Sequence, residues 1–271
     1  KIDMSQSIGA PCKPLVQKGD KVKVGQKIGD TDAFVSAPVH SSVSGTVKDI
    51  IQVTGNMGRP ETLVVIETDK NQEVSEEVKP PKADTFEEFI AGVRASGVVG
   101  LGGASFPTHI KLNPKNLEEC DTLIVNGAEC EPFITADNRI MVEDGQIVAS
   151  GMRLIMDHLN LKHGYIGIED NKPDAIENMK KIFENNGYTD MSVFPLPSSY
   201  PKGAERVLLY EITGKTMDAG ALPADLGVIL DNVTTVAAIA EYFNTGMPLV
   251  RRRVTVDGDA VKEPKNVFVP V

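Results

Sequence analysis

Between Gly100 and Leu112 the chain reads GLGGASFPTHIKL, with Gly100, Gly102 and Gly103 followed by Phe106 and Lys111. Glycine has no Cβ, so this backbone tolerates positive φ and lets another molecule come close to its N–H groups. A row of bare N–H groups suits an anion, most often a phosphate. An aromatic ring beside such a cradle can stack on a base or another flat ring, and a lysine offers a point charge to a phosphate or an electron-rich ring. Taken singly, the same residues read as a tight turn, a core phenylalanine and a solvated lysine. Ser105 stands where a dinucleotide fingerprint has its third glycine, and no predicted strand precedes the loop, so a standard Rossmann fingerprint is disfavoured.

Three further stretches add polar groups. VNGAECEPF (Val125 to Phe133) places Asn126, Glu129 and Glu131 after an apolar run. Asparagine offers a donor and an acceptor, which suits the imide edge of a flavin, and carboxylates suit ribose hydroxyls; a polar capping loop is the plainer alternative. SYPKGAERVL (Ser199 to Leu208) puts Gly203 and Glu205 at an expected helix opening, where the N-terminus can face an anion. DNVTTVAAI (Asp231 to Ile239) sets Asn232, Thr234 and Thr235 where a strand gives way to a helix. Four such loops together point to a nucleotide site.

The scaffold that must position them is legible from periodicity. Helical spacing is predicted over 86–97, at least the second half of 137–159, 173–187, 203–214 and 233–246. In the second of these, Met152, Ile155, Met156 and Leu159 share a face. Apolar strands are predicted over 121–129, 163–170, 191–197 and 226–232. Alternating strands and helices imply an α/β layer with a mostly parallel sheet, whose ligands sit at the carboxyl ends of strands. The first 70 residues instead read as short strands punctuated by turns such as KGD, VGQ and TGNMG. LVQKGDKVKVGQKI (15–28) and SAPVHSSVSGTVKDII (36–51) echo each other and resemble the two-half barrel-sandwich of biotinyl and lipoyl domains. The tip between the halves, TDAFVSAPVH (31–40), has no lysine to modify, so this domain is read as a relative that carries nothing. Residues 71–84, charged and with a Pro pair, read as a linker.

Composition narrows the classes. A net charge of −10 and a pI near 5.0 argue against nucleic acid as a partner. No run approaches the roughly 18 apolar residues of a membrane helix. Cys12, Cys120 and Cys130 are few and widely spaced, against both a disulfide framework and an iron–sulfur cluster held by this chain alone. The start at Lys1, with neither Met nor a signal-like segment, reads as a trimmed end from which targeting is not legible.

With these loops in view, the chain resembles the RnfC component of Rnf electron-transport complexes over nearly its whole length. GLGGASFPTHIKL, VNGAECEPF, YPKGAE, LPADLGVILDNVTTVAAI and the N-terminal SQSIGAPCKPLVQKGDKVKVGQKIGD carry the likeness. The four site loops also resemble the NADH-binding flavoprotein subunit of respiratory complex I. The resemblance implies a barrel-sandwich domain at 1–70, a linker at 71–84 and a Rossmann-like α/β domain binding FMN and NADH at 85–247. It further implies the start of a β-grasp-like domain at 248–271. FMN would be noncovalent, with Gly100, Gly102, Gly103, Lys111, Asn126, Gly203, Asn232 and Thr235 around it, and with Phe106, Glu131 and Glu205 nearer the NADH. Two 4Fe-4S clusters are expected in a part of the family's chain beyond this one. The expected partners are the other Rnf subunits, including a ferredoxin-like iron–sulfur subunit, at the cytoplasmic face of the cell membrane. Against the complex I pattern, Leu101 replaces Arg, Ser105 Gly, Ala128 Asp, Ala204 Glu and Asp231 Asn.

Overall fold

The computed structural model describes residues 1–55 and 58–271. Asn56 and Met57, within the turn expected at TGNMG, lie outside the described residues. The chain divides into two compact units: Lys1–Ile110 with Glu241–Arg252 and Phe268–Val271, and Lys111–Ala240 with Arg253–Val267.

The first unit begins with the strands β1 (Ile2–Asp3), β2 (Lys13–Pro14), β3 (Lys21–Val22), β4 (Lys27–Asp30), β5 (Val39–His40), β6 (Gly45–Thr54) and β7 (Pro60–Thr68). They form two antiparallel sheets, ordered β1-β7-β6-β3 and β2-β4-β5. Alternation along the strands sends Ile2, Met4, Val22, Ile28, Val39, Val47 and Val64 inward to one core. The tip between β4 and β5 leaves Phe34 exposed. The start of the expected linker is tied down: Val24 N donates to Glu73 O at 2.8 Å, and Ser75 N donates to Val24 O at 2.9 Å.

Helix α1 (Phe86–Ala95) starts at Thr85, whose hydroxyl accepts from Glu88 N (3.2 Å), while Glu88 Oε2 accepts from Asp84 N (2.9 Å). The first bond satisfies one of the free donors at the helix start, and the second ties the residue before the cap back to the first turn. Phe89 of α1 is fully buried and stacks on Phe243 at 5.2 Å between ring centroids. Arg94, near the end of α1, reaches both carboxylate oxygens of Asp30 (2.7 and 3.3 Å) and Thr31 O (2.9 Å). That fork anchors the helix to the end of β4. The glycine loop follows, and then the single turn α2 (Thr108–Lys111).

The second unit is the α/β layer. It holds β8 (Thr122–Asn126), α3 (Ala136–Glu143), α4 (Gly145–Leu159), β9 (His163–Glu169) and α5 (Pro173–Asn185). Then come β10 (Met191–Leu196), α6 (Glu205–Thr213), β11 (Val228–Asn232) and α7 (Val233–Thr245). The sheet is wholly parallel in the order β10-β9-β8-β11. The strand order reverses between β8 and β11, and such a switch point opens the crevice in which α/β sheets bind ligands. Val148, Met152, Ile155, Met156 and Leu159 of α4 are buried at helical spacing.

The stretch 137–159, expected to be helical in at least its second half, holds α4 there and most of α3 before it; the two meet at Asp144, where Arg253 Nη2 bonds Asp144 Oδ2 (2.9 Å) and Nη1 bonds Glu143. Arg253 belongs to β12 (Arg251–Val256), which pairs with β13 (Lys265–Pro270), the β structure expected for the last residues. Among the described residues, no helix is long and apolar enough to cross a membrane.

Candidate functional site

Parallel register brings Asn126 and Asn232 side by side at the carboxyl edge of β8 and β11, at the switch point. Asn126 Nδ2 donates to Gly203 O (2.9 Å), and its Oδ1 accepts from Ala128 N (3.1 Å). Asn232 Nδ2 donates to Asp137 Oδ2 (2.7 Å), and its Oδ1 accepts from Thr234 N (2.9 Å) and Thr235 N (3.2 Å) at the start of α7. An amide has two N–H donors and two carbonyl lone pairs. These bonds leave each asparagine one N–H, and leave Asn126 alone a lone pair. Both residues are half-buried.

A charged group joins this edge. Lys111 Nζ pairs with Glu205 Oε1 at 3.1 Å, linking the end of α2 to the first residue of α6. Asp231 precedes Asn232 and is buried, with Oδ1 accepting from Asn232 N (2.9 Å) and Oδ2 without a partner among the described residues. Burial pushes the Asp231 carboxyl above its ordinary range, and Lys111 pulls the other way. A buried polar atom left unpaired is costly, which makes it a marker of a place completed by something else.

Gly203 does not open its helix as the spacing predicts. Helix α6 starts at Glu205, and Gly203 lies two residues earlier, with its N–H donated to Cys130 Sγ (2.9 Å) and its carbonyl held by Asn126. Here glycine serves close approach, since a Cβ would stand 2.9 Å from Cys130 Sγ and 3.2 Å from Ala128 O.

The two loop glutamates part company. Glu131 is exposed. Glu129 turns inward, and its Oε1 accepts from Asp137 N (2.8 Å) and its Oε2 from Asn138 N (3.1 Å), the first turn of α3. Lys172 Nζ lies 3.9 Å away, and the Glu129 side chain is 3% exposed. Burial raises the Glu129 carboxyl, against the pull of those two N–H groups. Thr235 is fully buried in α7.

The glycine loop, with Gly100, Gly102, Gly103 and Phe106, belongs to the first unit. Gly100 N donates to Phe106 O (2.9 Å), which closes the loop, and Ile8 N donates to Ser105 O (3.1 Å), which ties it down. The left-handed residue is Ser105 (φ 56°), not one of the expected glycines. Gly102 and Gly103 are exposed, and nothing stands within 4 Å of where a Gly103 Cβ would point. The fold itself therefore does not require glycine at 103, and the space beside it is open. Phe106 is 37% exposed. Beneath the loop is a cleft of about 280 Å³ lined by Ala37, Pro38, Val99, Leu101 and Arg252, among others.

Sequence reading missed two residues, Asp137 and Cys130. Asp137 bonds both Asn232 and Thr234, whose hydroxyl donates at 2.5 Å, and Cys130 receives the Gly203 N–H. Asp137 carries only the signal of an acidic first-turn residue, which reads as helix capping.

Residues 93–241 match the family described as the Nuo51 FMN-binding domain, and residues 1–71 the RnfC barrel sandwich hybrid domain. The whole chain is 45% identical to a subunit of the proton-translocating ferredoxin:NAD(+) oxidoreductase complex of Clostridium ljungdahlii, covering 59% of that relative. It is 42% identical to the corresponding subunit of the Na(+)-translocating ferredoxin:NAD(+) oxidoreductase complex of Acetobacterium woodii, again over 100% of this chain and over 61% of the relative. The chain thus spans about three fifths of the length of these curated relatives. In fold it is similar to a chain of the NAD+-reducing NiFe-hydrogenase in the air-oxidized state, with a TM-score of 0.60, 19% identity, and coverage of 70% of this chain and 38% of that one.

Proposed function

Because this chain belongs to the RnfC family of Rnf-complex subunits, with a Nuo51-type FMN-binding domain as its α/β part, we propose that it is the electron-entry module of an ion-translocating NADH:ferredoxin oxidoreductase. It binds FMN noncovalently and takes electrons from NADH. It passes them to iron–sulfur clusters, two of the 4Fe-4S kind, that lie outside this chain. It works at the cytoplasmic face of the membrane as a peripheral subunit, docked to the other Rnf subunits, a ferredoxin-like one among them.

The observation that carries this reading is the pair of in-register asparagines at the switch point, each with one N–H to spare, beside the Lys111 charge. Donor groups and a cation suit a ligand rich in acceptors, as FMN is in its phosphate and its ring carbonyls. Bound there, FMN would supply the chemistry of accepting a hydride and releasing electrons singly. The chain supplies orientation: Asn126 and Asn232 donate, Lys111 balances negative charge, and Gly203 and Thr235 keep the strand ends in place. Glu205 holds Lys111 aimed by their ion pair. The share of Gly100, Gly102, Gly103 and Phe106, and of Glu131 towards NADH, rests on their motifs.

An FMN titration of the purified chain, read by flavin fluorescence and by NADH-driven bleaching at roughly 450 nm, tests the proposal. Saturable binding with bleaching supports it. Absence of binding at high FMN concentration, in this chain and in a longer one, leaves the alternative of an adaptor with a degenerate flavin site.

A further inference from the structure

Two carboxylates connect the loop after β8 to the start of α7. Glu129 pins the first turn of α3 through Asp137 N and Asn138 N. Asp137, so placed, accepts from Asn232 Nδ2 (2.7 Å) on one oxygen and from Thr234 Oγ1 (2.5 Å) on the other. Asn232 in turn gives both lone pairs of its carbonyl to the N–H groups of Thr234 and Thr235. The amide of Asn232 is therefore held at both ends, its plane is fixed, and a single N–H is left over.

We infer that Asp137 is a positioning residue of the site: through Asn232 Nδ2 and Thr234 Oγ1 it fixes Asn232 as a one-hydrogen donor toward an acceptor atom of the bound ligand. Glu129 belongs to the same device one step back, because it fixes where α3 presents Asp137. The role toward FMN rests on the proposed flavin reading, whereas the orientation of Asn232 does not.

The chemistry distinguishes two variants. In Asp137→Asn, the new amide oxygen can still accept from Asn232, and its NH2 can donate to the Thr234 hydroxyl, which accepts as readily as it donates. In Asp137→Ala, both bonds vanish and the NH2 end of Asn232 is released, with only its carbonyl still held by the N–H groups of Thr234 and Thr235. The test uses the ligand-free chain first, by NMR of the Asn232 side-chain NH2 and by hydrogen exchange at Thr234 and Thr235. Asp137→Ala should shift and broaden the Asn232 NH2 pair and speed exchange at both amides, and Asp137→Asn should keep the wild-type pattern. FMN titration then follows: up to roughly tenfold weaker binding in Asp137→Ala, the size expected when the Asn232 hydrogen bond to the ligand is lost, and within about threefold of wild type in Asp137→Asn.

An unchanged Asn232 NH2 signature in Asp137→Ala overturns the inference. So does a lowered melting temperature in both variants with FMN affinity kept, which would make Asp137 merely structural. If neither the wild-type chain nor a longer one binds FMN, the flavin reading fails, and the NMR comparison still decides whether Asp137 orients Asn232.

Discussion

At the scale of single residues, Lys111 separates binding from stability. Its partner Glu205 is 94 residues away, and both side chains are partly open to water (33% and 41%). An ion pair so exposed contributes about 1 kcal/mol or less to folding. A charge-assisted bond from the same ammonium to a bound ligand would be worth roughly 1.5–3 kcal/mol. Lys111→Ala should therefore weaken FMN binding about tenfold or more, by fluorescence titration, and barely move the thermal midpoint. A large drop in midpoint with FMN affinity intact would mean that the lysine is a structural strut. The lysine was visible in the sequence as a cation behind a glycine loop. Its pairing with Glu205 was not, because only the folded layer brings α2 and α6 together.

Among elements, α4 meets the first turn of α7 at a close contact. Gly151 faces Val236 so closely that a Cβ there would sit 2.4 Å from Val236 O and 2.9 Å from Val236 Cγ1. A backbone oxygen cannot swing aside, so Gly151→Ala must push the helices apart. The expected cost is about 1–3 kcal/mol of unfolding free energy, the usual range for overpacking, measured by urea denaturation. Because α7 begins at Val233, just after Asn232, FMN affinity should fall in the same variant. Stability and affinity both at wild-type values would show that the two helices can slide without disturbing the strand end. Elements of this kind were largely legible. The apolar period of α4 and the strand runs of β8 to β11 each follow from side chains that must be buried on one face or on both. The break at Asp144 was not legible, because it is held by Arg253, more than a hundred residues on. Nor was the inward turn of Glu129, since a carboxylate after a strand reads alike whether it meets a ligand or the N-terminus of a helix.

The whole molecule carries a pH response that originates in the barrel strands of the first unit. His40, in β5, is 6% exposed, and its Nδ1 has no hydrogen-bond partner among the described residues. Burial, helped by its cross-strand neighbour Lys27 and opposed by Asp30, lowers its pKa from 6.5 to about 4. The folded chain thus keeps His40 neutral while the unfolded chain takes up a proton below pH 6.5. A depressed imidazole pKa makes the contribution complete above the unfolded value, and it is lost as pH falls from there towards the folded value. Between pH 7.5 and 5 the loss from this one group is about 2 kcal/mol. His109, lowered to about 4 by burial and then by Arg94, adds a loss of the same sign. Urea denaturation followed by circular dichroism at the two pH values should show the decline in the wild-type chain. In His40→Gln it should shrink by about 2 kcal/mol, because glutamine has no proton to take up, even if the variant is less stable at both values. An equal decline in both proteins would mean that His40 is protonated in the folded state at pH 5, with water or a rearranged carboxylate meeting its Nδ1.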